Sequence, residues 1–474
     1  MVRASLAGHS LLGVVLGALV YQVCLTGTFS VFAAEFQRWE QPNAPAVESV
    51  APEAFVNAAE NALARGATGK SIVLFGPTWN KPRFVLRLPQ TDTRVLLDSD
   101  GNIGEAVQTP WTSFVVSLHD ELHLPAPWGR IVIGLSGVVL LALIFTGLCT
   151  HSRIFRDAFH LRLGAGTRLG ESDLHNRMSV WSLPFQIVVS ATGAILALGG
   201  LLGPLLILLA FGGDVEHGML EFAGPPPAVD QMEPAPLPDI ASLIRTIEAA
   251  HQPAKVSYVE ISQAGTSGQI LSIDTNAPHD LASGESYRFS GDGRALGSAG
   301  YTTGSAGKQM MAALAPLHFG SFGGPTVLAA YGILGAMLCA VCATGVNIWL
   351  LRRSERGRNS AFWKRIWIIV VWGQPVILAL AAVAAMGGID PLQFYVVASI
   401  LSFALIAPAL DPETLRRRLI QATALSVLAA VAANITINNL FPADAAAITV
   451  NTLLTAGSLL LICRTRIFAQ DHRV

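Results

Sequence analysis

Charged residues are scarce in this chain of 474 residues: they make up 13% of it, while hydrophobic residues make up 52%. A soluble protein has about 25% charged residues, so this composition indicates a membrane protein. The formal net charge of −1 provides no basic field, which argues against nucleic acid as a partner. No G-x-G-x-x-G motif follows a strand pattern, so a dedicated nicotinamide-binding domain is excluded.

Cysteine is also rare. All five cysteines lie within or at the ends of apolar runs, and none stands in a polar segment. Cys339 and Cys342 form a C-x-x-C, but inside an apolar run this motif predicts two small packing residues rather than a zinc or redox site.

Long apolar runs dominate the rest of the sequence. A membrane-spanning helix needs about 20 apolar residues. The run from Leu11 to Ala34 is longer than the apolar core of a signal peptide, so we expect a retained helix there. Together, eight segments are predicted to span the bilayer: 11–34, 131–150, 180–211, 326–351, 366–387, 393–410, 419–437 and 445–463.

Arginine and lysine cluster in alternate loops, which predicts the orientation because short cytoplasmic loops retain these residues. The sequence therefore predicts a bacterial inner-membrane protein, in contact with the lipid bilayer, with both termini cytoplasmic. The predicted order is a first helix within 1–34, an outer segment at 35–130, a helix at 131–150, a cytoplasmic loop at 151–179, a helix at 180–211, a second outer segment at 212–325, a helix at 326–351, a cytoplasmic loop at 352–365, four helices within 366–463 and a cytoplasmic tail at 464–474.

The two outer segments have similar patterns. In each, an amphipathic helix precedes short β-prone runs and a turn. The first has a helix around 52–63, strands at 72–75, 84–88 and 95–97, and a turn at 98–101; the second has a helix at 240–250, strands near 256–261, 270–273 and 287–289, and a turn at 291–293. Each segment is predicted to be a small periplasmic α+β module.

Histidines and Thr-Gly pairs recur at matching spacings, which predicts an internal repeat. Because each unit contains an even number of spans, the two copies share one orientation and the repeat is parallel. The spacings are 17 residues from His9 to Thr26-Gly27 and from His175 to Thr192-Gly193, 27 from His119 to Thr146-Gly147, and 26 from His318 to Thr344-Gly345.

The repeat predicts two histidine pairs, one at each face of the membrane. His9 and His175 fall at the cytoplasmic ends of equivalent helices, and His119 and His318 at the periplasmic ends. Two imidazole pairs suit axial ligation of two b-type haems within an apolar bundle. No C-x-x-C-H occurs, so no covalent attachment is expected. His151 is an alternative partner of His175, or a contact of a haem propionate.

Several motifs in order resemble the PepSY-associated transmembrane proteins, often called iron-regulated membrane proteins. The resemblance covers residues 5–355. It rests on Leu118-His119-Asp-Glu-Leu122-His-Leu-Pro125, Trp128-Gly129, Gly134-Leu135, His151-Ser-Arg-Ile-Phe-Arg-Asp157, Asp173-Leu-His175-Asn176, Leu183-Pro-Phe185 and Leu317-His-Phe-Gly320. Gln186 departs from the pattern, which often has histidine there.

The family resemblance implies a function and a fold. The family includes inner-membrane ferric-siderophore reductases with membrane-embedded haems, so haem ligation is carried onto His9, His119, His175 and His318, with His151 as a further family histidine. The expected fold is an all-α polytopic membrane bundle of about eight transmembrane helices, with two small periplasmic PepSY-like α+β modules and an internal parallel repeat.

The expected function is a haem b-containing reductase that passes electrons from the cytoplasmic side to a periplasmic ferric siderophore and releases Fe(II). The electron donor would be a quinol or a cytoplasmic reductase. Aromatic candidates for the substrate-binding wall are Trp111, Trp128, Tyr287 and Phe289, for each of which packing is the alternative. The alternative function is a non-enzymatic PepSY membrane protein that regulates a periplasmic protease or senses a ligand.

Overall fold

The computed structural model describes residues 2–44, 46–150, 168–218, 233–277, 281–282, 284–406, 410–438 and 444–470. The chain forms two compact units. Unit 1 comprises Met1–Asn43, Thr109–Ala197 and Ala329–Val474, and unit 2 comprises Ala44–Gln108 and Leu198–Leu328.

Helices make up most of the described chain. In chain order they are α1 Val2–Val15, α2 Gly17–Ser30, α3 Ala33–Glu40, α4 Pro52–Ala64, α5 Pro110–Asp120, α6 Trp128–Thr150, α7 Arg168–Trp181, α8 Leu183–Ala210, α9 Ile240–Ala250, α10 Ala306–Phe319, α11 Gly324–Glu355, α12 Ala361–Ile368, α13 Gln374–Met386, α14 Pro391–Leu401, α15 Pro412–Ile437 and α16 Ala445–Gln470. A π-helical turn, Ile369–Gly373, joins α12 to α13.

Unit 2 contains a single antiparallel sheet of eight strands. The sheet order is β4-β3-β2-β1-β5-β6-β7-β8, so each outer segment contributes one half. The strands are β1 Ile72–Phe75, β2 Phe84–Arg87, β3 Arg94–Leu97, β4 Ile103–Ala106, β5 Lys255–Ser262, β6 Ile270–Asn276, β7 Ser286–Ser290 and β8 Ala295–Ser298.

The predicted pair of separate modules is corrected by this sheet. β1, the first strand of one half, pairs with β5, the first strand of the other, with Ile72 opposite Ile261 and Phe75 opposite Tyr258. An isolated four-stranded sheet would expose both edge strands, and pairing β1 with β5 removes one edge from each half. The two outer segments therefore form one structural unit with one core.

Apolar side chains on one face of the strands build the core of this sheet, because alternate side chains of a strand point to the same face. Ile72 and Leu74 of β1 are fully buried, as are Leu271 and Ile273 of β6. Helices α4 and α9 contribute to the same cluster. The side chain of Asp239 caps the first turn of α9 by accepting a hydrogen bond from the Ser242 amide at 3.0 Å.

Six described helices are long and apolar enough to cross a membrane, and a seventh span is formed if one bent pair is counted. They are Trp128–Thr150, Leu183–Ala210, Gly324–Glu355, Ala361–Met386, Pro412–Ile437 and Ala445–Arg464, with Ser5–Val15 and Gly17–Ser30 as the pair bent by 67°. The protein is thus a multi-pass membrane protein.

Two of the eight predicted spans differ in the structure from a continuous long helix. In the described part of the run at 393–410, the apolar helix is shorter and covers Pro391–Ala404. The segment 11–34 is broken at Leu16, where the backbone leaves helical geometry with φ −105° and ψ 2°. Gly17 follows this break, and a Cβ on it would lie 2.9 Å from Val346 Cγ2, so a close helix contact occurs at the bend.

Buried polar side chains tie α3 to the C-terminal helices of unit 1. The Trp39 indole donates to Asn451 Oδ1 at 2.7 Å, and the Asn434 amide donates to the Trp39 carbonyl at 2.7 Å. Asn451 donates in turn to Asn434 Oδ1 at 3.0 Å. Buried polar groups are costly unless they are hydrogen-bonded, and this closed set satisfies them. The C-terminal helices are therefore part of the unit 1 bundle.

Candidate functional site

His9 lies on α1 with its ring against α6. Its Nδ1 is 3.0 Å from the carbonyl oxygen of Leu143 and 3.2 Å from the hydroxyl of Thr146. A carbonyl oxygen only accepts hydrogen bonds, so Nδ1 carries the proton and donates. Nε2 then has the lone pair in the neutral ring and is the nitrogen available to bind a metal.

His175 on α7 repeats this arrangement against α11. Its Nδ1 is 3.0 Å from the carbonyl oxygen of Val341 and 3.2 Å from the hydroxyl of Thr344. The same argument assigns the proton to Nδ1 and the lone pair to Nε2. Both histidines are therefore held in the tautomer that a metal ligand requires.

The rings of His9 and His175 are neighbours in an edge-on arrangement. Their centroids are 6.4 Å apart and their planes make an angle of 81°. Two imidazoles that bind one metal ion from opposite sides have ring centres about 6 Å apart, because each metal–nitrogen bond is about 2 Å long. The 6.4 Å between the centroids of His9 and His175 is close to this value, and ligation of one iron atom by both rings stays a prediction.

A haem fits this donor set better than a bare metal ion. Among the described residues, no group of three or more His, Cys, Asp or Glu side chains could hold a metal ion. A bare ion bound by protein needs such a group, whereas a haem macrocycle supplies four nitrogens and needs only axial ligands. The residues present fit a bis-histidine haem.

His119 on α5 has the same relationship to α2. Its Nδ1 is 3.0 Å from the carbonyl oxygen of Val23, so Nδ1 donates to that oxygen and the lone pair of the neutral ring is on Nε2. Burial lowers the pKa of His119, although the hydrogen bond to Val23 acts in the opposite direction. The neutral imidazole is thereby favoured, and only the neutral ring can bind a metal.

His318 lies in unit 2, at the end of α10. Its ring centroid is 5.4 Å from that of Phe319, and α10 ends at Gly320 with a left-handed φ of 68°. His119 belongs to unit 1. Their pairing around a second haem stays a prediction.

The glycines of three Thr-Gly pairs lie against these imidazoles. A Cβ built on the glycine would lie 3.4 Å from His9 Cε1 at Gly147, 3.2 Å from His175 Cε1 at Gly345 and 2.7 Å from His119 Cε1 at Gly27. The hydroxyl of Thr146 donates to Ala142 of its own helix at 2.6 Å, which leaves its oxygen lone pairs facing the imidazole. Each Thr-Gly pair is thus a seat for a histidine of another helix.

The spacings in the sequence did not identify these partners. They relate His9 to Thr26-Gly27, whereas the structure seats His9 on Thr146-Gly147 and His119 on Thr26-Gly27. Which helices pack together is a tertiary property, so a spacing along the chain could not specify it.

The remaining histidines have different surroundings. His151 lies outside the described residues. His123 has its Nε2 2.9 Å from the Phe114 carbonyl oxygen and stacks on the Phe114 ring, with centroids 5.2 Å apart. Its Nε2 donates to that carbonyl. His251 is exposed and contacts the ring of Tyr287.

Three of the four aromatic candidates for a substrate wall are occupied in packing. The Trp111 indole is 5% exposed and donates to the Leu378 carbonyl oxygen at 2.9 Å. Phe289 is buried in the sheet core, and Tyr287 packs against that core. Trp128, at the start of α6, is 66% exposed and is the one with a free surface.

Glu40 holds α5 and was not identified from the sequence. Its carboxylate accepts hydrogen bonds from the backbone amides of Trp111 and Thr112, both at 2.8 Å, and from the Thr112 hydroxyl. These amides have no acceptor within the helix because they lie in the first turn of α5, and Glu40 provides the acceptor. Glu40 thus fixes the start of the helix that carries His119, and no local motif signals this because the two segments are about 70 residues apart.

Gln186, where the family pattern often has histidine, is also buried. It is 2% exposed, and its amide donates to the Ser182 hydroxyl at 2.7 Å and to the Ser179 carbonyl at 3.3 Å. These bonds satisfy the amide locally, so Gln186 has a structural role in the first turn of α8, which it links to the end of α7.

Comparison with known proteins places the chain in a family. A protein of Pseudomonas aeruginosa with the name Uncharacterized protein PA4219 is 32% identical over 259 residues. The match covers 52% of this chain and 65% of that relative, less than two thirds of its length. Residues 6–352, which make up most of the chain and include all the histidines discussed above, match the family described as PepSY-associated TM region. The chain therefore belongs to the PepSY-associated transmembrane family.

Proposed function

We propose that this protein is a haem b-containing inner-membrane reductase that passes electrons from the cytoplasmic side to a periplasmic ferric siderophore. The observation that carries the proposal is the neighbouring pair His9 and His175, with ring centroids 6.4 Å apart. Each ring has its Nδ1 bonded to a carbonyl oxygen of a neighbouring helix. Histidines that bind metals usually donate their other ring N–H to such an oxygen, so His9 and His175 would hold a haem iron through Nε2.

The residues around the pair prepare it for ligation. The hydrogen bonds to Leu143 and Val341 fix the tautomer and the orientation of each ring, and they raise the basicity of Nε2. The glycines Gly147 and Gly345 let the rings lie close to the helix backbones. The rings are therefore held in place by the protein before any cofactor binds.

A haem at this site would supply one-electron transfer within the apolar bundle. His119 and His318 would hold a second haem at the opposite face, as copies of the same unit in a parallel repeat. A quinol or a cytoplasmic reductase would provide the electrons.

The proposed substrate follows from the chemistry of iron chelation. Siderophores bind Fe(III) through hard oxygen ligands, and Fe(II) is a softer ion that fits them less well. Addition of one electron to the chelated Fe(III) therefore weakens its binding and releases Fe(II). Trp128 is the exposed aromatic residue among the predicted wall residues.

The test is the haem content of the full-length protein and its variants, purified after expression with sufficient haem. We expect noncovalent haem b, about two per chain, by the pyridine haemochrome assay. His9→Ala and His175→Ala should each remove the same haem, and the double variant should lose no more than either single variant, because both ligands serve one iron.

His251→Ala is the matched control, since His251 is exposed and lies in unit 2, outside the proposed site. It should keep the wild-type haem content. If the wild-type protein contains no haem, the reductase proposal is wrong and regulation of a periplasmic protease, or ligand sensing, becomes the better explanation. If His9→Ala and His175→Ala remove different haems, the assigned pair is wrong.

The outer pair is tested by His318→Ala. It should remove the other haem and stop ferric siderophore reduction in membranes, while the remaining haem is still reduced by the donor. His175→Ala should leave a haem that dithionite reduces and the donor does not. Full reductase activity in both variants would contradict the proposed electron path.

A further inference from the structure

An arginine-lined cavity lies beside the first turns of α1. It has a volume of about 430 Å³ and is formed within unit 1 by α1 and the end of α11. Its lining residues are Leu6, Ala7, Ser10, Trp349, Arg352, Arg353, Arg356 and Arg358.

The lining divides into an apolar part and a charged part. Leu6, Ala7 and Trp349 provide apolar surface. The guanidinium of Arg353 lies over the Trp349 ring, 5.7 Å from its centroid, at the boundary between the two parts. A ligand that fills this cavity would need an apolar portion and an anionic portion.

Among the described residues, no acid is paired with the arginines of the cavity. Within the described parts of the chain, no carboxylate forms an ion pair with Arg352, Arg353, Arg356 or Arg358. The neighbouring acid, Glu355, is 3.0 Å from the guanidinium nitrogen of Arg168 instead. Four like charges around one cavity repel each other, and an anion bound among them would relieve this repulsion.

The position of the cavity along α11 suggests the source of the anion. Helix α11 is long and apolar enough to span a membrane, and the arginines occupy its last turn and the loop that follows. This is the depth at which phospholipid headgroups meet a spanning helix. Basic pockets beside transmembrane helices on the cytoplasmic side bind anionic headgroups, and the arginine distribution predicts that this end is cytoplasmic.

We propose that this cavity binds the headgroup of an anionic phospholipid. The lipid phosphate would accept hydrogen bonds from the arginines, since the planar guanidinium matches phosphate oxygens. The glycerol and the first methylene groups would lie against Leu6 and Trp349. A free phosphate ion would leave that apolar surface unused. The proposal uses neither His9 nor His175 as a ligand, and because Ala7 and Ser10 flank His9, the variant His175→Ala tests it separately from the proposed haem.

The experiment measures lipid binding to the full-length protein in detergent. Thermal stabilisation and native mass spectrometry are followed during titration with phosphatidylglycerol, with phosphatidylcholine and, separately, with inorganic phosphate. We expect preferential binding of phosphatidylglycerol over phosphatidylcholine and no stabilisation by inorganic phosphate at the same concentrations. Equal binding of the two lipids would overturn the proposal. Equal stabilisation by inorganic phosphate would also overturn it, because the cavity would then be a site for soluble anions.

The variant Arg352→Gln/Arg356→Gln should bind phosphatidylglycerol at least about tenfold more weakly, because hydrogen bonds to charged groups are among the strong ones. Arg417→Gln/Arg418→Gln is the control, since it removes the same charge from exposed arginines of α15. It should bind like the wild type. If both double variants weaken binding equally, general surface charge explains the preference and the cavity assignment is wrong.

A second variant distinguishes loss of the binding site from misfolding of the double arginine variant. Leu6→Trp keeps all four arginines and fills the apolar part of the cavity, so it should also weaken phosphatidylglycerol binding. If a folded Leu6→Trp protein bound phosphatidylglycerol as the wild type does, the proposal would be contradicted. His175→Ala should keep the lipid preference of the wild type. If His175→Ala preferred phosphatidylglycerol over phosphatidylcholine and the wild type did not, another group would occupy the cavity in the wild type. The lipid assignment would then be wrong.

Discussion

The imidazole of His119 lies directly on Gly27, so that a Cβ built on this glycine would stand 2.7 Å from Cε1 of the ring. The same relationship at Gly345 and Gly147 is looser, with distances of 3.2 Å from His175 and 3.4 Å from His9. Real Cβ atoms do not approach another carbon to 2.7 Å, so a methyl group at Gly27 must displace the ring or the helix. From the tightest contact to the loosest, the three glycines are therefore ranked Gly27, Gly345 and Gly147.

Substitution of these glycines by alanine should follow that ranking. Gly27→Ala should destabilise the protein by about 1–3 kcal/mol through overpacking and should displace the His119 ring, so we expect lower haem content. Gly345→Ala should have a smaller effect and Gly147→Ala the smallest. Haem per chain and the thermal midpoint of the purified protein in detergent measure both consequences.

Gly8→Ala is the control for this series, because a Cβ on Gly8 meets no atom within 4 Å although Gly8 is next to His9. It should retain wild-type haem and stability. If Gly27→Ala retained them as well, the close contact between His119 and Gly27 would not constrain the ring, and the ranking would be wrong.

Local patterns predicted the elements whose residues determine their own conformation. The helix predicted at 240–250 is the observed α9, because its apolar residues have helical periodicity and Asp239 provides the cap. The strand predicted at 72–75 is the observed β1, a short run of β-branched and aromatic residues. In contrast, β4 and β8 were not predicted, since each contains glycine and polar residues and is held by its neighbour in the sheet.

Features that depend on packing between distant segments were not predictable from the sequence. The pairing of β1 with β5 joins residues almost 190 positions apart, so the single sheet could not be read from either segment. Among the site residues, the histidines were recognisable as a group because they recur along the chain. Their Thr-Gly seats and the support from Glu40 come from helix contacts that leave no local motif.

Replacement of Glu40 by glutamine should change how stability depends on pH. Burial raises the pKa of Glu40, although hydrogen bonds from Thr112 and Trp111 lower it. A carboxyl group with a raised pKa in the folded state contributes stability below its ordinary pKa, and this contribution is lost as pH rises through the raised value. Above about pH 4.5, the thermal midpoint should therefore fall more steeply for the wild type than for Glu40→Gln.

The comparison needs a carboxylate without these contacts, and the exposed Glu48 serves this purpose. Thermal unfolding in detergent, followed by tryptophan fluorescence, would be measured for wild type, Glu40→Gln and Glu48→Gln across the same pH series. Glu48→Gln should parallel the wild type. Parallel curves for wild type and Glu40→Gln would show that ionisation of Glu40 does not limit stability.

The arginine distribution predicts the orientation of the chain in the membrane. Alkaline phosphatase fused after residue 100 or 292, in two turns of unit 2, should be active because the predicted location is the periplasm. A fusion after residue 357, in the loop that follows α11, should be inactive. All three fusions would be compared at equal expression by immunoblot. The reverse pattern of activities would refute the predicted orientation, and with it the assignment of His9 and His175 to the cytoplasmic face.

Glu285 should give unit 2 a pH dependence of the opposite sign to that of Glu40. Burial acts to raise the pKa of Glu285, but hydrogen bonds from the backbone amides of Thr302, Tyr301 and Gly300 and from the Thr302 hydroxyl outweigh it, and the pKa is lowered. The three amides lie 2.7 to 3.1 Å from its carboxylate oxygens. A carboxyl group with a lowered pKa contributes stability above its ordinary value of about 4.5, and this contribution is lost as pH falls through the lowered value. Glu285→Gln should therefore be less stable than the wild type at neutral pH, and the difference should shrink on acidification as the wild-type carboxylate becomes protonated.

The exposed Glu105 is the control, and Glu105→Gln should remain close to the wild type throughout. The measurement is resistance of unit 2 to limited proteolysis in the full-length protein along a descending pH series, and a difference between Glu285→Gln and wild type that grows as pH falls would contradict the expected sign.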